Sequence, residues 1–464
     1  MIVRRITLLV LSAVFAFGSG PAAPAATPPN IVVIMADDLG WMDLHCQGNE
    51  RLDTPALDKL AAEGMRFTDA YAAAPVCSPT RAAMMTGQTP GRLGLTNHAP
   101  GNKDGFALPD SDLREPPTER NLALSYVTIA ERLADAGYAT AHIGKWHLSY
   151  TPRRNKQPPL EPDLRPEHQG FDVNIGGCFR GGPPSYFAPY RIPALPDGED
   201  GEYLPERLAD EAIAYVRKNK DRRFFLNWWP YSVHYPMQAR EELIAKYRKR
   251  KGPGIKDPVY AAMIEGMDTE IGRFLKALDD AGLRDNTLVI FKSDNGGYNG
   301  DNRPLRGFKG MLLEGGIRIP WIVRWPGRVA PGITCNTPVI SMDCYPTLLD
   351  VAGLAPTPNQ PIDGLSLLPL LTQTGRLDRD AIYFHYPNYA FHKRNKLGGV
   401  VREGDYKLIK RYRGGALELY NLKDDIGERR NLAGKSSKLA ARLEKDLETW
   451  LRDIDARMPE QAKQ

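Results

Sequence analysis

The patterning of the chain predicts an α/β protein: a large sheet domain first, then a small α+β domain that closes the chain. Three observations carry this. Short apolar, β-branched runs alternate with segments of helical periodicity over most of the length. Prolines at helix starts and glycines at helix stops punctuate the alternation. After about residue 375 the pattern changes to paired strands with tight turns and one long amphipathic helix.

The elements follow in order. "NIVVIMADD", from Asn30, is a short apolar run of the kind that forms a buried parallel strand. "TPALDKLAAEG" is a helix with Thr54 as N-cap, Pro55 in the first turn and Gly64 as the stop. "VTIAERLADAG" is a second helix, ended by Gly137, and it feeds the strand "YATAHIG". "RRFFLNWWPY" is an apolar strand running into a polar loop. The long segment from Tyr260 places Met263, Met267, Ile271 and Leu275 at helical spacing, a core-facing stripe, and leads to the strand "TLVIFKSDNGG". Two long Pro/Gly-rich stretches, Ser149 to Gly170 and Gly181 to Gly201, interrupt the alternation; loops of this length in a compact domain tend to wall a site. Turns at Glu403-Gly404 and Gly414-Gly415 then set out antiparallel strands, and "SSKLAARLEKDLETWLRDID" is the closing helix.

Bulk properties narrow the function. The 464 residues suit one large and one small domain, with 25% charged and 42% hydrophobic content typical of a folded protein. The net charge is only +5, and two of those charges are Arg4 and Arg5 of the N-terminal leader. The densest basic cluster, Lys246 to Lys251, reads as a solvated helix end, so nucleic acid is not an expected partner; no segment after the leader is apolar enough to cross a bilayer, so no membrane is expected either. Residues 1–26 read as a secretory signal: Arg4 and Arg5, an apolar run from Ile6 to Phe17, and an Ala23-Pro24-Ala25 cleavage site. The mature protein is expected in the periplasm or outside the cell. Five cysteines make an odd count for an oxidising compartment. Cys335 and Cys344 are close enough in sequence for a local disulfide, no zinc spacing is present, and Cys77 is the one set outside any disulfide.

Residues of chemical interest gather at predicted strand ends. Asp37 and Asp38 follow the first strand, and Asp294 and Asn295 follow a later one. Sites in open α/β sheets form at the carboxyl ends of strands, and three carboxylates with an amide suit a hard divalent cation, Ca²⁺ before Mg²⁺. Lys145 and His147 share one face of an extended segment. His234, Lys309 and Arg81 add further basic groups. Any one of them alone reads as an ordinary loop residue. Together with a metal they make a pocket for a tetrahedral oxyanion ester, with cations on nonbridging oxygens and histidines moving protons. Cys77 and Arg81 do not make a cysteine-phosphatase cradle, because that chemistry uses Cys-x5-Arg and the spacing here is Cys-x3-Arg with Pro79 between. A thiolate is also a poor match for a hard cation.

"CSPTRAAMMTG" instead resembles the signature of the type I, formylglycine-dependent sulfatases, in the arylsulfatase-A-like bacterial group. The resemblance runs from about Asn30 into the C-terminal domain and includes "ADDLGW", "GKWHL", "HQGFD", "SDNGG" and "KGMLLEGGIRIPWIVRWPG" in family order. It implies an alkaline-phosphatase-like α/β/α sandwich with a large, mostly parallel mixed sheet over residues 27–374, and an antiparallel α+β subdomain over 375–464. It implies conversion of Cys77 to Cα-formylglycine by a formylglycine-generating or anaerobic sulfatase-maturating enzyme. It also implies one Ca²⁺ on Asp37, Asp38, Asp294, Asn295 and the modified Cys77. Arg81 and Lys145 would stabilise the hydrated aldehyde, and Lys145 and Lys309 would hold the sulfate. His234 would protonate the departing alcohol, and His147 would take the proton whose loss expels sulfate. One departure is "DVNIGGCFRGGPPSY", Asp172 to Tyr186, where many members carry a serine or similar polar group.

The expected substrate is a sulfated carbohydrate or an aryl sulfate. Arg180, His98 and His385 are the candidates for further substrate contacts. Two other readings stand beside this one: a phosphomonoester or phosphonate hydrolase of the same superfamily, and a catalytically silent glycan-binding relative.

Overall fold

The computed structural model describes residues 28–150, 164–250 and 252–462. The leader and most of the first Pro-rich stretch, together with Lys251, lie outside the described residues. An eight-stranded sheet organises the larger domain. Its spatial order is Ile333–Cys335, Met65–Phe67, Trp321–Arg324, Thr287–Ser293, Asn30–Ala36, Phe224–Trp229, Ala139–Gly144 and Val173–Ile175. Trp321–Arg324 runs antiparallel to both of its neighbours, and the remaining pairings are parallel.

Alternation along the central strand produces the layers. Val32, Ile34 and Ala36 face a core with the helices Pro55–Ala62, Leu204–Lys218, Glu241–Lys249 and Pro258–Asp280. Ile31, Val33 and Met35 face the opposite core, with Cys77–Thr86, Ile129–Asp135 and Cys344–Ala352. Because side chains on a strand alternate with period two, this wholly apolar run serves two helical layers, and an α/β/α sandwich results. The helix Ile129–Asp135 opens with a full capping box between Thr128 and Glu131. Thr54 precedes Pro55–Ala62 as expected, but its hydroxyl makes no cap bond. The amides of Ala56 and Leu57 instead donate to the Asp268 carboxylate, at 3.0 and 2.8 Å. A tertiary acceptor thus satisfies the orphan donors of the first turn.

The smaller domain is a four-stranded antiparallel sheet, Ala381–Tyr386, Gly398–Glu403, Tyr406–Arg411 and Leu417–Asn421. Its turns fall at Gly404 and at Gly414-Gly415, all at positive φ. Helix Ser437–Asp453 lays Ala440, Leu443, Leu447 and Leu451 on one face of this sheet. The other face packs Ile382, Phe384, Val400 and Ile409 against Val76, Ala83, Leu312 and Ile317 of the larger domain. A buried ionic cluster pins the two domains: Lys407 Nζ lies 2.8 Å from Glu314 and 2.9 Å from Glu428, all three away from solvent. No disulfide links the five cysteines; Cys335 ends a strand and Cys344 begins a helix. Among the described residues no helix is long and apolar enough to cross a membrane.

Candidate active site

Sheet register builds the site. Ala36 pairs with Ser293, so Asp37 and Asp294 leave the sheet side by side. Gly144 pairs with Trp229, which brings Lys145 to the same edge, its amide 2.7 Å from the Trp229 carbonyl. Gly144 takes φ 103°, and a Cβ there would lie 2.0 Å from the Trp229 carbonyl oxygen, so only glycine fits. The loop after Trp229 is tied to the first strand end by Asp37 N–H to Ser232 O, 2.8 Å, and Val233 N–H to Asp37 O, 2.7 Å. His234 is thereby placed over the carboxylates. Asp38 and His147 both hold positive φ, 63° and 61°, uncommon for residues with a Cβ and concentrated at functional positions.

Cys77 is the first residue of a fully buried helix, and its Sγ lies 3.6 Å from Asp37 Oδ1 and 3.9 Å from Asp38 Oδ1. Arg81, one turn on, donates to Asp294 Oδ2 at 3.0 and 2.7 Å and to the Lys145 carbonyl at 2.9 Å. Lys145 Nζ pairs with Asp37 at 2.7 Å, and Lys309 Nζ pairs with Asp38 at 2.7 Å. His234 Nε2 is 3.7 Å from Asp38 Oδ2. The four-residue spacing of Cys77 and Arg81 puts both on one helix face, toward the strand ends.

Burial governs the electrostatics. It pushes the Cys77 thiol up to about 12, the nearby Lys145 and Lys309 notwithstanding. It pushes Asp37 up to about 8, against Lys145 and with help from Asp294 and Asp38. Burial also acts on Asp38 and Asp294, but cations outweigh it: Lys309 leads at Asp38 and Arg81 at Asp294, and both carboxyls fall below the usual range. Burial holds His234 down at about 3 and His147 far below its ordinary value, aided by Lys309 and Lys145 respectively.

The histidines differ in which nitrogen is free. A carbonyl only accepts, so the nitrogen facing it carries the proton. His234 Nδ1 faces the Tyr235 carbonyl at 2.8 Å, leaving Nε2 for the cavity. His147 Nε2 faces the Ala99 carbonyl at 2.5 Å, leaving Nδ1 buried and without a partner.

A metal fits this set. Ligand atoms of Asp37, Asp38, Cys77 and His234 lie within 4.8 Å of one another. Asn295 donates to Asp38 Oδ1 at 2.8 Å, while its own Oδ1 is buried with no donor facing it. An orphaned amide oxygen beside a carboxylate cluster is what a hard cation satisfies. Asp294 Oδ1 accepts the Asp38 amide at 3.1 Å and its Oδ2 is taken by Arg81, so this carboxylate is the most committed of the group.

Above these residues opens a cavity of about 380 Å³. Asp38, Cys77, His98, His147, His234 and Lys309 all line it. Of the further contacts expected from sequence, His98 is on the wall. Arg180 is not among the lining residues; it stacks on Phe179 at 5.4 Å, one residue before the wall at Gly181. His385 is not brought to the cavity: its ring is buried between Tyr412 Oη, 2.6 Å, and the Arg457 carbonyl, 3.1 Å. A residue in "FHYPNYAFHKRN" does reach the wall, but it is Phe391. Tyr235, Tyr298 and Asn299 were also not anticipated, and neither was the close approach of Gly181 and Gly182. A Cβ on Gly181 would meet His147 Cε1 at 2.7 Å, and one on Gly182 would meet His234 Nδ1 at 2.7 Å. The Gly-Gly doublet inside a long loop was the visible signal.

Known proteins are similar to this chain over most of its length. The family model "Sulfatase" matches residues 29–354, and "N-sulphoglucosamine sulphohydrolase, C-terminal" matches residues 308–456. Arylsulfatase A of Homo sapiens is 35% identical, with 88% of this chain and 84% of that protein covered. A sulfatase of Formosa agariphila is 32% identical over 91% of this chain and 88% of its own. The crystal structure of Ps i-CgsB in complex with k-i-k-neocarrahexaose is 29% identical, with TM-score 0.79, covering 92% of this chain and 94% of that one.

Proposed function

The chain belongs to the sulfatase family, and from that premise we propose that it removes sulfate from a sulfated carbohydrate through an aldehyde made from Cys77, with a calcium ion beside it. Sulfate ester hydrolysis comes with the family; the nucleophile, the ion and the sugar are our reading. The observation that carries it is the setting of Cys77. The side chain lies on the cavity floor among carboxylates and ammonium groups, with its thiol pushed up to about 12. Such a thiol holds almost no thiolate at neutral pH and is a poor nucleophile as it stands. A cysteine here makes chemical sense as a precursor.

Hydrated, the aldehyde supplies a hard oxygen nucleophile for sulfur, and calcium, held by Asp37, Asp38, Asp294, Asn295 and the modified Cys77, supplies positive charge next to it. The side chains of the chain do the rest. Lys145 and Lys309 each carry three N–H donors, and the carboxylate pairings at 2.7 Å leave donors for sulfate oxygens. Arg81, fixed by Asp294 and the Lys145 carbonyl, keeps the floor of the site in register. His234 presents Nε2 to the cavity; an anionic ester beside it favours the protonated ring, which passes its proton to the leaving oxygen. His147 offers the unpartnered Nδ1 as the base.

The carbohydrate assignment is supported by the oligosaccharide complex of the solved relative. We further place the mature protein in the periplasm or outside the cell, assign residues 27–374 and 375–464 to the two domains, and name a sulfatase-maturating enzyme as the partner that converts Cys77. The test is sulfate release, by ion chromatography, from sulfated mono- and disaccharides, an aryl sulfate and a phosphate monoester. Converted protein is expected to release sulfate from a sugar while Cys77→Ala releases none. Phosphate release in preference to sulfate, or full activity in Cys77→Ala, would overturn the reading.

A further inference from the structure

Among the described residues, five large apolar side chains are exposed: Leu124, Tyr235, Tyr298, Phe391 and Met458. Three of them, Tyr235, Tyr298 and Phe391, line the cavity that holds Cys77. Exposed aromatic surface gathered at one mouth is a binding feature, whereas single exposed apolar residues are ordinary. We propose that these three aromatics form the leaving-group subsite and receive a ring with an apolar face. The inference rests on the sulfatase reading and deepens it, because it says what kind of alcohol the sulfate is taken from.

The aromatics come from three separate segments, and two of them, Phe391 and Tyr298, brace one another. Phe391 packs edge-on against Tyr298, 5.2 Å between centroids, and against His98, 5.9 Å. Tyr298 in turn meets Phe308 at 5.8 Å. The result is a continuous aromatic surface. Lys309 Nζ lies 5.7 Å from the Phe391 centroid, so the platform begins within one small ring of the ammonium that holds sulfate. On the acid side, Tyr235 is the neighbour of His234 and its carbonyl fixes the His234 ring. The oxygen that receives the His234 proton therefore belongs to a group flanked by Tyr235.

The smaller domain supplies Phe391, and the larger one Tyr235 and Tyr298. Phe391 sits in the connection between the first two strands of the smaller domain. The next residue, His392, points Nε2 at the Lys309 carbonyl, 2.8 Å away, and packs on Phe308 at 4.8 Å. One segment thus both braces the loop that carries Lys309 and places an aromatic beside it. A Cβ on Gly310 would meet His392 Nε2 at 2.8 Å, so the loop and the segment fit only with glycine there. An exposed phenyl beside the sulfate site is apolar surface left open, and a planar or chair-shaped ring is what covers it while its sulfate reaches Lys309. Sugar and aryl rings share this chemistry.

The test separates this claim from the reaction itself. Binding is measured by calorimetry on Cys77→Ala protein with calcium present, so no turnover is required. The probes are phenyl sulfate, cyclohexyl sulfate and a set of hexose sulfates, compared with ethyl sulfate. Phe391→Ala is expected to weaken the ring esters about tenfold, the worth of half a buried phenyl, and ethyl sulfate less than about twofold. Phe391→Trp is expected to restore the ring preference. Which ring loses most, sugar or aryl, identifies the source. Equal weakening of ring and ethyl esters, no weakening at all, or ring esters that bind the parent protein no tighter than ethyl sulfate would each overturn the proposal. Sulfate release by converted wild-type protein without any ring preference would leave the sulfatase reading standing and sink this one.

Discussion

Gly181→Ala is a sharp test of the geometry, because it adds one methyl group beside His147 and removes no charged or hydrogen-bonding side chain. The new Cβ would lie 2.7 Å from His147 Cε1 and 2.8 Å from Nε2. Carbon atoms in ordinary contact stand about 3.5–4.0 Å apart, so the ring or the loop must give way by about 1 Å. The ring has little freedom: Nε2 is held on the Ala99 carbonyl at 2.5 Å and the backbone sits at φ 61°. A shift of that size in a catalytic group costs on the order of 10²-fold in rate. The expectation is a fall in kcat of about 10- to 100-fold with KM within about twofold, because Lys145 and Lys309, the proposed sulfate contacts, are untouched. Overpacking is expected to cost about 1–3 kcal/mol of stability, measured by urea unfolding. The assay is steady-state sulfate release with equal Cys77 conversion in every sample. Gly434→Ala is the control, since its Cβ would meet nothing within 4 Å. Wild-type kcat in Gly181→Ala would refute the claim that His147 is held rigidly and works as the base.

Other outcomes follow from the same site. His234→Ala is expected to lose about 10²- to 10⁴-fold on alkyl and sugar sulfates and far less on an aryl sulfate, since acid assistance matters most for a basic leaving oxygen; equal losses would remove His234 as the acid. Asp294→Ala is expected to abolish calcium binding, counted per chain by elemental analysis, and to destabilise the fold by about 3–5 kcal/mol because Arg81 is left buried without its nearest carboxylate. Asn295→Ala separates these effects: calcium is expected to fall with Arg81 still paired, and unchanged calcium in both variants would place the ion elsewhere. His385 gives a pH test outside the site. Burial lowers it from 6.5 to about 4, so between those values the unfolded chain binds a proton that the folded chain refuses. Stability therefore drops as pH falls through that window, by up to about 3 kcal/mol, and His385→Gln is expected to flatten the drop in urea midpoints between pH 7 and pH 4.5.

How much could be read in advance varied with the range of the interaction. The strand "NIVVIMADD" and the helix from Tyr260 were legible because their patterns are local and nearly uninterrupted. Asp37, Asp38, Asp294 and Asn295 were legible as strand-end residues, but their adjacency depends on the Ala36–Ser293 register, which no single segment carries. The capping of Pro55–Ala62 by Asp268 was out of reach for the same reason: the acceptor is some 200 residues away. In "FHYPNYAFHKRN" the chemistry of His385 drew attention, whereas the strand Ala381–Tyr386 turns that side chain into the smaller domain. The connection after it delivers Phe391 to the cavity. Aromatic wall residues carry no signature at the level of sequence, because an exposed and a core phenylalanine look alike. Gly181 and Gly182 matter for what their missing Cβ atoms allow, and that shows only once both histidines are in place.

The proposed reaction stands or falls with the conversion of Cys77 to an aldehyde. It is tested most directly by preparing the protein at several degrees of Cys77 conversion, reading each by mass spectrometry of the Cys77 peptide, and measuring sulfate release from one substrate. Activity is expected to be proportional to the converted fraction, on a line through the origin. Activity that does not depend on that fraction, or that persists at zero conversion, would contradict it.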